Sequence, residues 1–323
     1  MADATDGSGR VDVTDVTVIG AGAMGHGLAV QFSLAGLDVT LVDHRRENVE
    51  RARDRIEDAA TFLVEHGLTD QSSSTLVDRV SFGLDATTAV EGTGVVLETI
   101  TEELAAKRRL FETVAPAAPA HALLLSNTSS IPITDVAQAV PDHAGRVAGC
   151  HWWYPPYLLT PVEVVRGEAT TDDTVERLCS FVESVDRDPV LVERDVPGFV
   201  WNRVQFAVVR ECLHLVEAGV ASAADVNRAI RDGYATRTAA IGPLETVDIA
   251  GLELFETIAS DLYPALATDD EPQALFADLL DDGRSGIQAG AGFFEYDDPP
   301  ENVTRRRDER VAAIRQALES STE

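Results

Sequence analysis

"DVTVIGAGAMGHGLAVQFSLAGLDVTLVD", residues 15–43, opens with a short β-branched run, 15–20, that ends in glycine. A stretch of helical character follows and stops at Gly36, and "LDVTLVD" reads as a second strand. Strand, turn, helix and strand within about thirty residues make a βαβ unit. Gly20, Gly22 and Gly25 have the G-x-G-x-x-G spacing between strand and helix, and the acidic Asp43 closes the second strand 18 residues beyond Gly25. In this context the spacing is a dinucleotide-binding fingerprint. Gly20 permits the tight turn, Gly22 the close approach of backbone to a pyrophosphate, and Gly25 the packing of helix on strand. The loop Gly20, Ala21, Gly22, Ala23, Met24 and Gly25 is therefore expected to hold the phosphates at a helix N-terminus. Asp43 would accept hydrogen bonds from a ribose hydroxyl and repel a 2′-phosphate, which favours NAD over NADP.

Outward from this unit the alternation continues. Residues 46–66 read as a helix with a polar face, and 95–100 ("VVLETI") and 123–126 ("LLLS") as buried parallel strands. "AGRVAGCHWW" carries another strand, and the whole implies a doubly wound, mostly parallel α/β sheet of Rossmann type. The pattern changes near "ERDVPG", 193–198. Beyond it apolar residues recur at helical spacing, a helix is expected from an N-cap at Ser222 to a stop at Gly233, and the charged tail reads as a terminal helix. The expected division is a flexible leader 1–14, an NAD-binding domain 15–195 with a helical insertion at about 46–80, and an all-α substrate and dimerisation domain 196–323.

Composition narrows the class. With 45% hydrophobic residues, 323 residues can bury two cores. The formal net charge of −29 argues against nucleic acid and anionic membrane as partners. Lys107 is the sole lysine; every other basic side chain apart from the histidines is arginine. Dispersed Asp and Glu with almost no lysine suit a cytoplasm of high salt, where self-repulsion is screened, so a halophilic source is expected. The acidic N-terminus has neither the basic residues nor the apolar stretch of a secretory signal, and a cytoplasmic location is expected. Cys150, Cys179 and Cys212 are an odd, scattered set that argues against disulfides or a zinc cluster, and no histidine shows metal-ligand spacing; no metal is expected.

Three further stretches carry chemistry. "SNTSS", 126–130, follows a buried strand, so it lies where ligands bind in open α/β sheets; its hydroxyls and amide could contact substrate or cap a helix. "HWWYPPYLLTPVEVV", 151–165, places Glu163 twelve residues after His151, and a strand, a Pro-Pro loop and a returning strand could bring the two together. "PGFVWNRV" begins at residue 197.

Taken in order, GxGxxG, SNTSS, H-x-x-x-P with its glutamate, and PGF-x-x-NR resemble the 3-hydroxyacyl-CoA dehydrogenase superfamily, which includes a branch acting on gulonate or carnitine and some lens crystallins. The resemblance extends to "GPLETVDIAGLE" (242–253) and "GAGFFEY" (290–296). It implies that His151 is the catalytic acid and base, that Glu163 orients it, that Ser129 contacts substrate and nicotinamide, and that Asn202 hydrogen-bonds the substrate oxygen. It also implies cofactor contacts from Glu102 and Lys107. The chain departs from the pattern at Tyr154, where the family commonly has asparagine near the nicotinamide, and at Gln288, where a lysine is frequent. The helix after Asp43 offers Arg51, Arg53 and Arg55 where lysine would meet coenzyme A phosphates.

The implied activity is NAD-dependent oxidation of (S)-3-hydroxyacyl-CoA to 3-oxoacyl-CoA, as in fatty acid β-oxidation. The alternatives are an NAD-dependent dehydrogenase of a free 3-hydroxy acid and an NAD-binding protein without catalysis. A homodimer acting on a small molecule is expected.

Overall fold

The computed structural model describes residues 13–320; all but the last two residues of the expected leader lie outside them. The first compact unit runs to Asn202 and the second from Arg203.

The first unit opens as the sequence predicts: β1 (Asp15–Ile19), α1 (Ala23–Leu34) and β2 (Asp38–Val42). The insertion supplies α2 (Arg46–Glu65) and α3 (Ser73–Asp78). Then come β3 (Val80–Gly83), α4 (Ala86–Ala89), β4 (Val95–Glu98), α5 (Leu104–Ala117), β5 (Leu123–Ser126) and α6 (Ile133–Ala137). The unit closes with β6 (Val147–Trp152), β7 (Pro161–Val165), α7 (Asp172–Ser184) and β8 (Asp188–Val192). The sheet order is β3-β2-β1-β4-β5-β6-β7-β8. All neighbours are parallel except β6 and β7. β4, β5 and β6 are buried along their whole length, as strands covered on both faces must be. α1 is apolar nearly all round and buried from Gly25 to Ser33, where one polar face would have left it half exposed.

The strand order reverses about β1, which lies between β2 and β4. That switch point opens a crevice at the carboxyl ends of the strands, and the glycine loop sits there. β8 and β3 were not anticipated. "DPVLV" is short, carries a proline and is half exposed at the sheet edge, so it lacks the apolar run that marked the inner strands. β3 is one residue shorter, and only Val80 of its four residues is buried.

The second unit is helical, and α8 (Trp201–Glu217) leads into it. It continues with α9 (Ala223–Arg228), α10 (Thr236–Ala240), α11 (Pro243–Ala250), α12 (Leu252–Leu262), α13 (Ala274–Asp281) and α14 (Pro300–Glu319). Ser222 caps α9 as expected, its hydroxyl accepting the Asp225 amide at 3.1 Å. Gly233 does not end the helix. A π-helical run, Ala229–Ala235, carries the chain through it into α10, because Gly233 keeps negative φ where a terminating glycine would turn left-handed.

Candidate active site

The glycine loop is built by packing at two positions and not at the third. Gly20 has φ of +112°, and a Cβ there would lie 2.6 Å from the Thr99 carbonyl oxygen. A Cβ on Gly25 would lie 1.8 Å from the Gly20 oxygen. At Gly22 an added Cβ meets nothing within 4 Å, so the protein's own packing does not require glycine there. A pyrophosphate drawn close to the backbone does require it, and no side chain caps the α1 N-terminus in its place. Asp43 is fixed at the end of β2. Its carboxylate accepts the Ala21 amide at 3.0 Å, the Arg45 amide at 2.9 Å and the Asn48 side-chain amide at 3.1 Å. The residues present therefore fit NAD.

His151 and Glu163 face each other across the one antiparallel pairing in the sheet. β6 and β7 set them in direct register, and His151 Nδ1 lies 2.6 Å from Glu163 Oε2. A carboxylate can only accept, so the proton sits on Nδ1 and the Nε2 lone pair is left for chemistry. Both residues are buried, at 5% and 0% exposure. Burial by itself would raise the Glu163 carboxyl. The bond to His151 and the backbone amides of Trp201 and Val200 outweigh it and hold Glu163 below the usual carboxylate range. Cys150, the preceding residue, is fully buried and its thiol is pushed up to about 12, so it stays neutral.

The loop after β5 is tied down on three sides. Asn127 Oδ1 accepts the Trp152 amide at 2.8 Å, joining the loop to β6. Glu102 Oε1 accepts the Thr128 hydroxyl at 2.6 Å and the Ser129 and Ser130 amides at 2.8 and 3.0 Å. Asn202 Nδ2 donates to the Ser129 carbonyl at 2.9 Å. The structure thus joins Ser129 to both Glu102 and Asn202. The Ser126 hydroxyl donates to Glu98 and the Thr128 and Ser130 hydroxyls to Glu102; α6, which follows, has no side-chain cap. Tyr154 stands 41% exposed at the mouth of the β6–β7 loop. Trp153 stacks on Trp201 with centroids 4.0 Å apart.

Lys107 is not at the surface. Its ammonium is buried 2.7 Å from Glu98 Oε1 and 3.2 Å from Glu102 Oε2. Glu98 also accepts the Ser126 hydroxyl at 2.6 Å and the Ile100 amide at 2.7 Å. Sequence reasoning missed Glu98, although a glutamate ending an apolar strand nine residues before the sole lysine was a usable signal. It also missed Asn48 and Phe199, which reach the site through contacts that no spacing reveals. Among the described residues no group of three His, Cys, Asp or Glu side chains is placed to hold a metal ion.

A histidine with its free nitrogen at the carboxyl end of a sheet that also carries a dinucleotide loop is the equipment for hydride transfer from an alcohol, and the class is an NAD-dependent dehydrogenase. The comparisons with known proteins refine this. The description "3-hydroxyacyl-CoA dehydrogenase, NAD binding domain" matches residues 15–196, and the corresponding C-terminal domain matches 198–296. The chain belongs to the 3-hydroxyacyl-CoA dehydrogenase family. It is 33% identical to 5-formyl-3-hydroxy-2-methylpyridine 4-carboxylate 5-dehydrogenase of Mesorhizobium japonicum, over 95% of this chain and 99% of that protein. It is 32% identical to a probable 3-hydroxybutyryl-CoA dehydrogenase of Bacillus subtilis, over 89% and 99%. L-carnitine dehydrogenase of Streptomyces griseus is 36% identical over 75% of this chain and 71% of its own. The crystal structure of a 5-formyl-3-hydroxy-2-methylpyridine 4-carboxylic acid 5-dehydrogenase, an NAD+-dependent dismutase, superposes with a TM-score of 0.87 at 32% identity, covering 95% and 99%. That of M. tuberculosis FadB2 gives 0.73 at 29% identity, covering 88% and 99%.

Proposed function

We propose that the protein oxidises a hydroxyl group on a small free carboxylic acid, with NAD as its cofactor, and not on a coenzyme A thioester. The observation that carries this is α2. A coenzyme A handle brings a pyrophosphate and a 3′-phosphate and needs uncommitted cations. Along 46–65 the chain sets four arginines (46, 51, 53 and 55) among six carboxylates (47, 50, 54, 57, 58 and 65). Arg51 is engaged by Asn48 Oδ1 at 2.6 Å, and the Arg53 guanidinium lies 4.1 Å over the Phe82 ring. A helix of net negative charge with two of its arginines occupied is a poor phosphate cradle. The pyridine carboxylate and carnitine named for two of the relatives support the same reading. The relatives named for acyl-CoA substrates favour the thioester. NADH oxidation with acetoacetyl-CoA beside free 3-oxo acids separates the two.

NAD supplies the hydride acceptor when bound. His151 Nε2 takes the hydroxyl proton as hydride leaves the carbon, and Glu163 holds the ring and stabilises its charged form. Ser129 and Asn202 are the residues we propose to hold the substrate oxygen, and their mutual hydrogen bond supports a shared role. Glu102 shapes the nicotinamide side of the loop, and Lys107 acts through Glu102.

The working form we propose is a homodimer joined through residues 203–323. Among the described residues of that unit, the buried apolar side chains are Leu213, Val226, Ala267 and Ala312. Leu244, Ile249, Leu252 and Tyr263 are 69–79% exposed. So small a core does not offset the chain entropy of ordering a helical unit this large, and a second copy supplies the missing burial. Sedimentation in molar salt, which screens the −29 charge of an enzyme we place in a salt-rich cytoplasm, should give twice 34.7 kDa. Leu244→Glu with Ile249→Glu should shift it to monomer. A monomeric parent protein would remove the dimer.

A further inference from the structure

Glu163 is held by more than His151. Its Oε1 accepts the backbone amides of Val200 and Trp201 at 2.8 and 2.9 Å, the residue before α8 and the first residue of that helix. Its Oε2 takes His151 and, at 3.4 Å, the Trp153 indole N–H. The carboxylate of the pair thus serves as the cap of a 17-residue helix. Those amides reach it because the chain turns sharply just before them. Gly198 has φ of +78° and Phe199, a bulky residue, φ of +50°. Positive φ costs a residue such as phenylalanine stability unless its surroundings enforce it. They do: Phe199 is 1% exposed, its amide donates to the Val196 carbonyl at 3.0 Å, and its ring lies 5.7 Å from the His151 imidazole.

We propose that the Pro197–Phe199 turn is a positioning device for the acid–base pair: two successive residues at positive φ aim the α8 amides at Glu163 and so tune the charge that His151 experiences. The proposal rests on the reading of His151 and Glu163 as that pair. The titratable group facing Glu163 is His151 on β6; β8 presents Val190 in register with it, and α8 presents its amides. Positive partial charge from the amides lowers the proton affinity of Glu163 and keeps its carboxylate ionised beside the imidazole. Without it, Glu163 binds a proton more readily.

The test exploits the conformational difference between two side chains of similar size. Asparagine tolerates the left-handed region, and valine does not. The Glu163 carboxyl is titrated by 13C NMR in the full-length protein, its signal assigned by loss in Glu163→Gln, with retained NADH binding as the check on folding. The Glu163 midpoint should rise in Gly198→Val and stay in place in Gly198→Asn. No movement in either variant, or equal movement in both, overturns the proposal. If Gly198→Val does not bind NADH, Gly198→Ala takes its place against Gly198→Asn under the same criteria. The titration needs no substrate. A failure here is therefore distinct from a failure of the catalytic assignment, which the turnover of His151 variants decides.

Discussion

Replacing His151 by alanine should lower kcat by about 10²–10⁴-fold and leave NADH affinity unchanged. The separation follows from where the residue sits. The cofactor loop lies between β1 and α1, whereas His151 lies on β6, paired across the sheet with Glu163. Removing the imidazole takes away the group we propose to receive the hydroxyl proton without touching Gly20, Gly22, Gly25 or Asp43. It also leaves Glu163 with three donors, the Val200 and Trp201 amides and the Trp153 indole, so the carboxylate is not stranded and the fold should persist. Steady-state turnover with NADH fluorescence titration measures both quantities. Retained turnover would remove His151 from the chemistry. Loss of turnover together with loss of NADH binding would make it a structural residue.

The largest effect on stability should come from Lys107→Met. Lys107 and Glu98 are 1% exposed at their side chains and 2.7 Å apart. Breaking one side of a buried pair costs about 3–5 kcal/mol because it leaves a charge without a partner, which corresponds to a fall in Tm of about 10 °C. Burial already raises the Glu98 carboxyl, with Lys107 the main influence opposing it. Glu98 is therefore expected to take up a proton in the variant, and the loss should deepen as pH rises. Adding Glu98→Gln should recover most of the melting temperature, since glutamine can still accept the Ile100 amide and the carboxylate that remains, Glu102, is partly exposed and keeps its bonds to residues 128–130. Melting curves of the single and double variants, followed by circular dichroism, give the comparison. If the double variant is no better than the single one, the pair is not what stabilises this corner.

Much of this architecture was legible because it is local. The β1-α1-β2 unit announced itself by β-branched runs, a glycine triad and an acid at the right distance, all set by backbone geometry within one supersecondary unit. The inner strands were legible because burial on both faces makes them continuously apolar. β8 was not, because an edge strand needs no such run. The passage of the helix through Gly233 was hidden as well, since a glycine's sequence does not disclose its φ. Within the site, the pairing of His151 with Glu163 could be anticipated from a strand, a loop and a returning strand. The α8 amides on Glu163 could not: they are backbone groups brought 37 residues along the chain by a turn that only the folded backbone reveals. Lys107 stood out as the chain's sole lysine, but its burial between Glu98 and Glu102 is a matter of how the folded chain returns on itself, which no spacing states.

The most direct test of the central claim is NADH oxidation in high-salt buffer with acetoacetyl-CoA, free acetoacetate, 3-dehydrocarnitine and a sugar-derived 3-oxo acid side by side. Turnover of a free acid, with acetoacetyl-CoA inert, is the predicted result. Turnover confined to the thioester would contradict it, and would mean that the arginines of α2 exchange their internal partners for the phosphates of coenzyme A.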